Sequence, residues 1–283
     1  MLGSTTAVVL AGGLVEEQHG RLVACSSTGR VGARRNSFLV SPWIVFMQNT
    51  SCRRLRVLHT ADLHLGWEQA LAEPPRATTL DVLERVVAAA CDELVRLVIF
   101  AGDLFDSNRV SDHTLRRALA LLAKLQVPIV ILPGNHDCYT EDCVYRRFDW
   151  RRALPQAYVI KSGSGELLRF PALDLAVWGK AHTSYDDCSP LAGLPERGAE
   201  RWQIAAAHGH LVRSRYDLIH SYRIHPSEIA GTERDYVALG HWDEMVDASA
   251  GAVTAAYSGS PAHTGEVLVL ELDGDVNYRR KPI

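Results

Sequence analysis

Five short apolar runs in this chain each end on a polar motif. The run around Val57-Leu58 leads into Asp62-Leu63-His64, Leu97–Ala101 into Gly102-Asp103, and Pro128–Leu132 into Gly134-Asn135-His136-Asp137. Ile204–Ala207 leads into His208-Gly209-His210, and Tyr236–Leu239 into Gly240-His241. An apolar run of this length, bounded by turn residues, reads as a buried strand. In sheets of alternating strands and helices, functional side chains gather beyond the carboxyl ends of the strands. One Asp or Asn after a strand is an ordinary turn residue. Asp, His and Asn recurring after five separate strands read as one site assembled from five loops.

The segments between these runs fit that reading. Thr78–Arg96 carries Leu80, Leu83, Val87, Ala90 and Leu94 near helical spacing, and Ser111 can cap a second helix with Leu115, Leu119, Leu122 and Leu125 on one face. A third helix is expected within Asp142–Ala153, stopped by Pro155. The second half is rich in strands: Leu167–Phe170, Leu173–Trp178, Thr254–Tyr257, and Val267–Leu272 turning at Asp273-Gly274 into Val276–Arg280. Alternating strand–helix units followed by a strand-rich half predict an α/β fold, a four-layer sandwich of two mixed sheets flanked by helices.

Residues 1–52 show no sustained period, and Ser26–Asn36 is rich in Gly, Ser and Arg, so this part reads as an irregular extension ahead of a folded domain at 53–283. The whole chain carries a net charge of -3, and without the four Arg and two Glu of the extension the domain is more acidic still. That excludes a general nucleic-acid coating role, so any phosphate contact must come from a local patch or from metal ions. The six cysteines, at 25, 52, 91, 138, 143 and 188, include no CxxC pair and read as reduced thiols of a cytoplasmic protein. Cys138 and Cys143 are the one pair placed to form a disulfide. No run reaches the length of a membrane span, and residues 1–20 lack the pattern of a secretory signal.

Carboxylate, imidazole and amide donors together suit divalent Mn, Fe, Zn or Co. Two such ions about 3.5–4 Å apart can clamp a phosphoryl oxygen and activate water at neutral pH. The ordered set Asp62-Leu63-His64, Gly102-Asp103, Gly134-Asn135-His136-Asp137, His208 and Gly240-His241-Trp242-Asp243 resembles the calcineurin-like metallophosphoesterases over about residues 54–260. The resemblance implies a phosphoester hydrolase with two divalent ions, Mn foremost and Fe, Zn or Mg as alternatives. It implies Asp62 and His64 on a first ion, Asp103 bridging, and Asn135, His208 and His241 on a second. His136 would give a proton to the leaving oxygen, with Asp137 orienting its imidazole. The family has His where this chain has Asp243, which could still complete the first ion's shell. His210 competes with His208 for the lone-histidine position or lies near the substrate.

Within that superfamily, His59–Gly66, Gly102–Asp106 and Ala238–His241 are similar to SbcD-type DNA repair exonucleases. This implies a phosphodiester substrate, DNA among the candidates, and an ATPase partner, although the sequence holds no coiled-coil arm for one. A small-molecule phosphomonoesterase, a cyclic-nucleotide phosphodiesterase and a non-catalytic module that keeps the fold are the other readings. Arg109 is a candidate for neutralising a substrate phosphate. Arg146, Arg147, Arg151 and Arg152 form a basic cluster that either tracks a phosphate backbone or is a solvated helix face.

Overall fold

The computed structural model describes residues 54–70 and 78–283, so the extension expected over 1–52 lies outside the described residues. The first half runs β1 (Leu55–Thr60), α1 (Thr79–Asp92), β2 (Leu97–Ala101), α2 (Asp112–Leu122), β3 (Ile129–Leu132), α3 (Trp150–Ala153), β4 (Ala157–Val159), β5 (Glu166–Phe170) and β6 (Leu175–Gly179). The second half runs β7 (Trp202–His208), β8 (His210–Leu211), β9 (Arg223–Ile224), α4 (Pro226–Gly231), β10 (Tyr236–Gly240), β11 (Val246–Asp247), β12 (Thr254–Tyr257), α5 (Pro261–Thr264), β13 (Glu266–Asp273) and β14 (Asp275–Pro282). Two six-stranded mixed sheets result, ordered β14-β13-β1-β2-β3-β4 and β11-β12-β10-β7-β6-β5. The central strands of each sheet are parallel, β1 with β2 and β3 in one and β7 with β10 and β6 in the other, while the outer pairs β1–β13, β11–β12 and β5–β6 are antiparallel.

Strand alternation builds the layers. Val57, Ile99 and Val130 face inward onto Val177, Ile204 and Ala238 of the opposite sheet. Leu58, Phe100 and Ile131 face outward under α1 and α2. Val237, Leu239, Ala255 and Tyr257 form the outer face of the second sheet, with Ile229 of α4 packed on it. Both long helices begin as expected: Thr78 caps α1 in a reciprocal capping box with Asp81, and Ser111 caps α2 through Thr114 N–H. The third helix expected within Asp142–Ala153 is confined to the short α3, Trp150–Ala153. A 3₁₀ turn at Val144–Arg146 is followed by a fresh start at Asp149, whose carboxylate accepts from Arg152 N–H at 3.1 Å. Arg147 ties the intervening stretch to α2, donating to the Val110 carbonyl and pairing with Asp112. The four arginines therefore do not share one helix face. Cys91, Cys138, Cys143 and Cys188 are free thiols, so the 138–143 disulfide is not formed. Among the described residues no helix is long and apolar enough to cross a membrane.

Candidate metal centre

The loops after β1 and β2 continue to pair beyond the strands. Asp62 N–H donates to the Gly102 carbonyl at 3.1 Å, His64 N–H to Asp103 at 3.0 Å and Leu65 N–H to Leu104 at 2.9 Å. This zip turns Asp62, His64 and Asp103 onto one rim. All three adopt left-handed backbone, with φ of 55°, 47° and 50°, and His241 lies at φ 104°. Such conformations are costly for residues with a Cβ and cluster where function demands a side-chain direction. Two glycines let the loops converge. A Cβ on Gly102, itself at φ 106°, would stand 1.9 Å from Nδ1 of His208, and one on Gly134 would stand 2.1 Å from Oδ1 of Asp103.

The donors meet around Asp103. Asp62, Asp103 and His208 bring ligand atoms within 4.8 Å of one another, and so do His64, Asp103 and His136. His208 is fully buried, and its Nδ1–H donates to the Ala101 carbonyl at 3.0 Å. A carbonyl can only accept, so Nε2 is the nitrogen left for coordination. That Nε2 lies 3.2 Å from Oδ2 of Asp103 and 3.0 Å from Oδ1 of Asn135. The same Asn135 oxygen lies 3.1 Å from Nδ1 of His241. Asp62 accepts from His241 N–H through both oxygens, at 3.1 and 2.9 Å. His64 Nε2 stands 3.8 Å from Oδ2 of Asp103. Asp62, His64, Asp103, Asn135, His208 and His241 thus share one contact network.

His136 is the exposed member of the cluster with His64 and Asp103, its ring centroid 4.6 Å from that of His64. Its Nδ1–H donates to the Asp106 carbonyl at 3.0 Å, which leaves Nε2 to meet a substrate. Asp137 does not orient that imidazole. It is buried and holds backbone, accepting from Gly134 N–H at 2.7 Å, Phe105 N–H at 3.1 Å and Tyr145 O–H at 2.5 Å. Asp243 is exposed and belongs to neither donor cluster. Arg109 is exposed and also lies outside both clusters. His210 sits one layer behind His241, its ring centroid 6.2 Å away, so of the two competing histidines His208 is the one at the cluster. Sequence reasoning missed Tyr145 and His182, whose Nε2–H donates to the His208 carbonyl at 2.8 Å. Neither carries a motif. Asp106 was within reach, since it closes the Gly102–Asp106 stretch, and its carboxylate lies 3.7 Å from Nδ1 of His64.

Electrostatics bear on whether divalent ions fit. Burial raises the Asp62 carboxyl, and Asp103 adds to the rise. Burial would also raise Asp103, but His208 overturns this and holds it low. Burial would lower His208, yet Asp103 and Asp62 hold it up at about 9. Burial, joined by His208, pushes His241 down to about 3. Without a cation, two buried carboxylates face each other and rely on a protonated imidazole for compensation. A divalent ion held by Asp103 would remove the need for that proton, with the Asn135 oxygen and Nε2 of His208 as further donors. The donor set therefore fits divalent metal.

The sequence profile described as calcineurin-like phosphoesterase matches residues 55–245. The chain is 38% identical over 88 residues to the DNA double-strand break repair protein Mre11 of Methanosarcina acetivorans, a match covering 30% of this chain and 14% of that protein. It is 41% identical over 85 residues to Mre11 of Haloferax volcanii, covering 29% and 19%. It is 34% identical over 88 residues to the SbcD component of the nuclease SbcCD of Bacillus subtilis, covering 29% and 22%. The matched part thus spans less than a quarter of each of these relatives. Among solved structures, TT1561 of Thermus thermophilus superposes with a TM-score of 0.56 at 15% identity, over 81% of this chain and 99% of that one. A dimetal phosphatase from Danio rerio superposes at 0.52 with 12% identity, over 81% and 96%. At these identities the structural likeness speaks for the fold alone.

Proposed function

Because this chain belongs to the calcineurin-like phosphoesterase family, we propose that it hydrolyses phosphodiesters at a two-metal centre built around Asp103, with a nucleic-acid strand as the favoured substrate. The carrying observation is the position of Asp103, shared by both donor clusters. Asp62 and His64 would join Asp103 on one ion, and Asn135, His208 and His241 on the other. Divalent ions so held supply Lewis acidity to a phosphoryl oxygen and lower the pKa of water. The remaining work falls to the chain. His136 N–H donates to Oδ1 of Asp103 at 2.9 Å, fixing that carboxylate while the His136 ring stands at the mouth. With Nδ1–H engaged by Asp106, a protonated His136 presents Nε2–H to the leaving oxygen. Asp137 and Tyr145 act at a distance by holding the loop that carries Asn135 and His136. The mixed oxygen and nitrogen set admits Mn, Fe or Zn, and Mn is the ion taken for the tests. The partial likeness to Mre11, a DNA double-strand break repair protein, and to the SbcD component of the nuclease SbcCD supports the nucleic-acid reading.

The test is hydrolysis of bis(p-nitrophenyl) phosphate and of labelled DNA by the Mn-loaded protein and by His136→Ala. The variant is expected to keep its metal content and to lose about 10²–10⁴-fold in kcat. Full activity in the variant would remove His136 from the chemistry. Turnover of the nitrophenyl diester without DNA cleavage would shift the substrate to a small phosphoester. Failure of the wild type to retain any metal at millimolar supply would leave only the non-catalytic reading.

A further inference from the structure

The segment between β8 and β9 is an ordered loop beside the metal centre that exposes rings and cations the hydrolytic chemistry does not use. β8 and β9 close its base, pairing His210 with Arg223 and Leu211 with Ile224. Inside the loop the Asp217 carboxylate accepts from Arg213 N–H at 2.8 Å and Ser214 N–H at 2.6 Å. Arg223 donates to the carbonyls of Leu218 and His220 at 3.2 and 2.9 Å. The backbone is therefore pinned from within, yet Tyr216, Leu218 and Ile219 are 69%, 50% and 85% exposed. Apolar side chains held out in water by a fixed loop mark a surface that something covers in use.

The rings connect to the centre in sequence. The imidazole of His220 stacks on that of His210, centroids 4.0 Å apart and planes at 20°. His210 is 6.2 Å from His241 by ring centroid, and its Nδ1 accepts from the indole N–H of Trp242 at 3.2 Å. His220 is exposed, with its ring stacked on His210. Two guanidinium groups accompany the rings: Arg213 over Trp242 at 4.5 Å and Arg215 over Tyr216 at 5.0 Å. Neither is in an ion pair with a carboxylate among the described residues. Trp242 is closed off between Tyr257 and Arg213, so the exposed rings are His220 and Tyr216. Two exposed rings with two guanidinium groups beside them match one kind of ligand, in which planar rings alternate with phosphates and are free to splay apart. A duplex keeps its bases stacked inward, and an acidic peptide would leave the rings without a partner.

We propose that His220, Tyr216 and Ile219, flanked by Arg213 and Arg215, form a base-stacking platform that seats a single-stranded nucleic acid next to the metal centre. The proposal uses the phosphodiesterase reading to say why a strand is there, but the platform binds bases whether or not the strand is cut. Its test is fluorescence anisotropy in EDTA at fixed salt, with a labelled oligothymidylate and an abasic strand of the same length. The wild type is expected to bind the base-bearing strand about tenfold or more tightly than the abasic one. His220→Ala and Tyr216→Ala should each shrink that ratio severalfold, and His220→Phe should restore it. Equal affinity of the wild type for the two strands, or an unchanged ratio in both alanine variants, overturns the platform. So does a loss in the variants that is the same for both strands. Absence of metal-dependent turnover of the nitrophenyl diester sinks the hydrolytic reading and leaves this binding result standing.

Discussion

His241 offers the sharpest check on the strained geometry of the centre. Its φ of 104° is one that L side chains rarely adopt, and its N–H is held in place by both oxygens of Asp62. Backbone strain of this kind costs about 1–3 kcal/mol. Glycine relieves it but gains about 0.5–1 kcal/mol of unfolded-state entropy, so the net advantage of Gly over Ala is about 1 kcal/mol. His241→Ala removes the imidazole and keeps the strain, whereas His241→Gly removes both. In EDTA the glycine variant should therefore melt about 2–4 °C above the alanine variant. Metal reports the other role. A free ion at 100 times its Kd stabilises the wild type by about 2.7 kcal/mol, and a 100-fold weaker site at the same concentration gives only about 0.4 kcal/mol. Adding Mn should raise the wild-type Tm by roughly 5–10 °C and move either variant by less than about 2 °C. Thermal unfolding of the three proteins with and without metal gives both numbers. Equal melting of the Gly and Ala variants in EDTA refutes the strain argument, and equal metal-induced shifts in all three remove His241 from the ligand set.

Three further outcomes follow from other parts of the site and core. Gly134→Ala places a Cβ 2.1 Å from Oδ1 of Asp103, so it should destabilise the protein by about 1–3 kcal/mol and weaken metal binding, read by urea unfolding and by calorimetric titration. Three side chains are assigned to one ion and four to the other, so Mn titration should resolve two steps, with His64→Ala abolishing the weaker and sparing the tighter. His59 lies in the core between the sheets, 3.0 Å from the Tyr236 hydroxyl, and burial pushes its imidazole down to about 3. Unfolded, His59 binds a proton below about 6.5, and folded it does not until about 3, so its contribution is intact above 6.5 and is lost as pH falls. Between pH 8 and pH 5 the loss is about 2 kcal/mol, and it should vanish in His59→Leu paired with Tyr236→Phe, compared with wild type in EDTA.

What the sequence disclosed divides along physical lines. Strand and helix limits were legible because period-2 and period-3.6 patterns directly encode burial: Leu97–Ala101 is buried throughout, and Ser111 caps α2. The convergence of Asp62, Asp103, Asn135, His208 and His241 was legible because each follows a strand, and the strand ends bring them into one contact network. The role of Asp137 was not legible. Its neighbour His136 suggests a carboxylate–imidazole pair, but the hydrogen bond that decides the matter comes from Tyr145, in a segment with no motif. The shortness of the helix within 142–153 was not legible for a similar reason. Its arginines and apolar residues have helical spacing, while the pull of Asp112 on Arg147 comes from a different element. Long-range polar partners leave no periodic trace, so misreadings concentrate where such partners decide the conformation.

The same distinction bears on Asp243. Read as a string, Gly240-His241-Trp242-Asp243 offers a donor two residues after His241, at the position where the family carries a second histidine. In the folded chain that strand end is already fixed by other demands. The His241 N–H is held by Asp62, the Trp242 ring stacks on Tyr257 at 4.6 Å with planes at 16°, and the carbonyl of Asp243 accepts from Ser260 N–H at 3.0 Å. With backbone anchored on both sides, the Asp243 carboxylate remains exposed and outside both donor clusters, near enough for its charge to help raise the Asp62 carboxyl. On the proposed assignment the ion beside His64 would then be the more open of the two, with fewer protein donors and more room for a substrate oxygen. Such a centre would retain one ion firmly and exchange the other, so activity should depend on the free metal concentration through the His64 side.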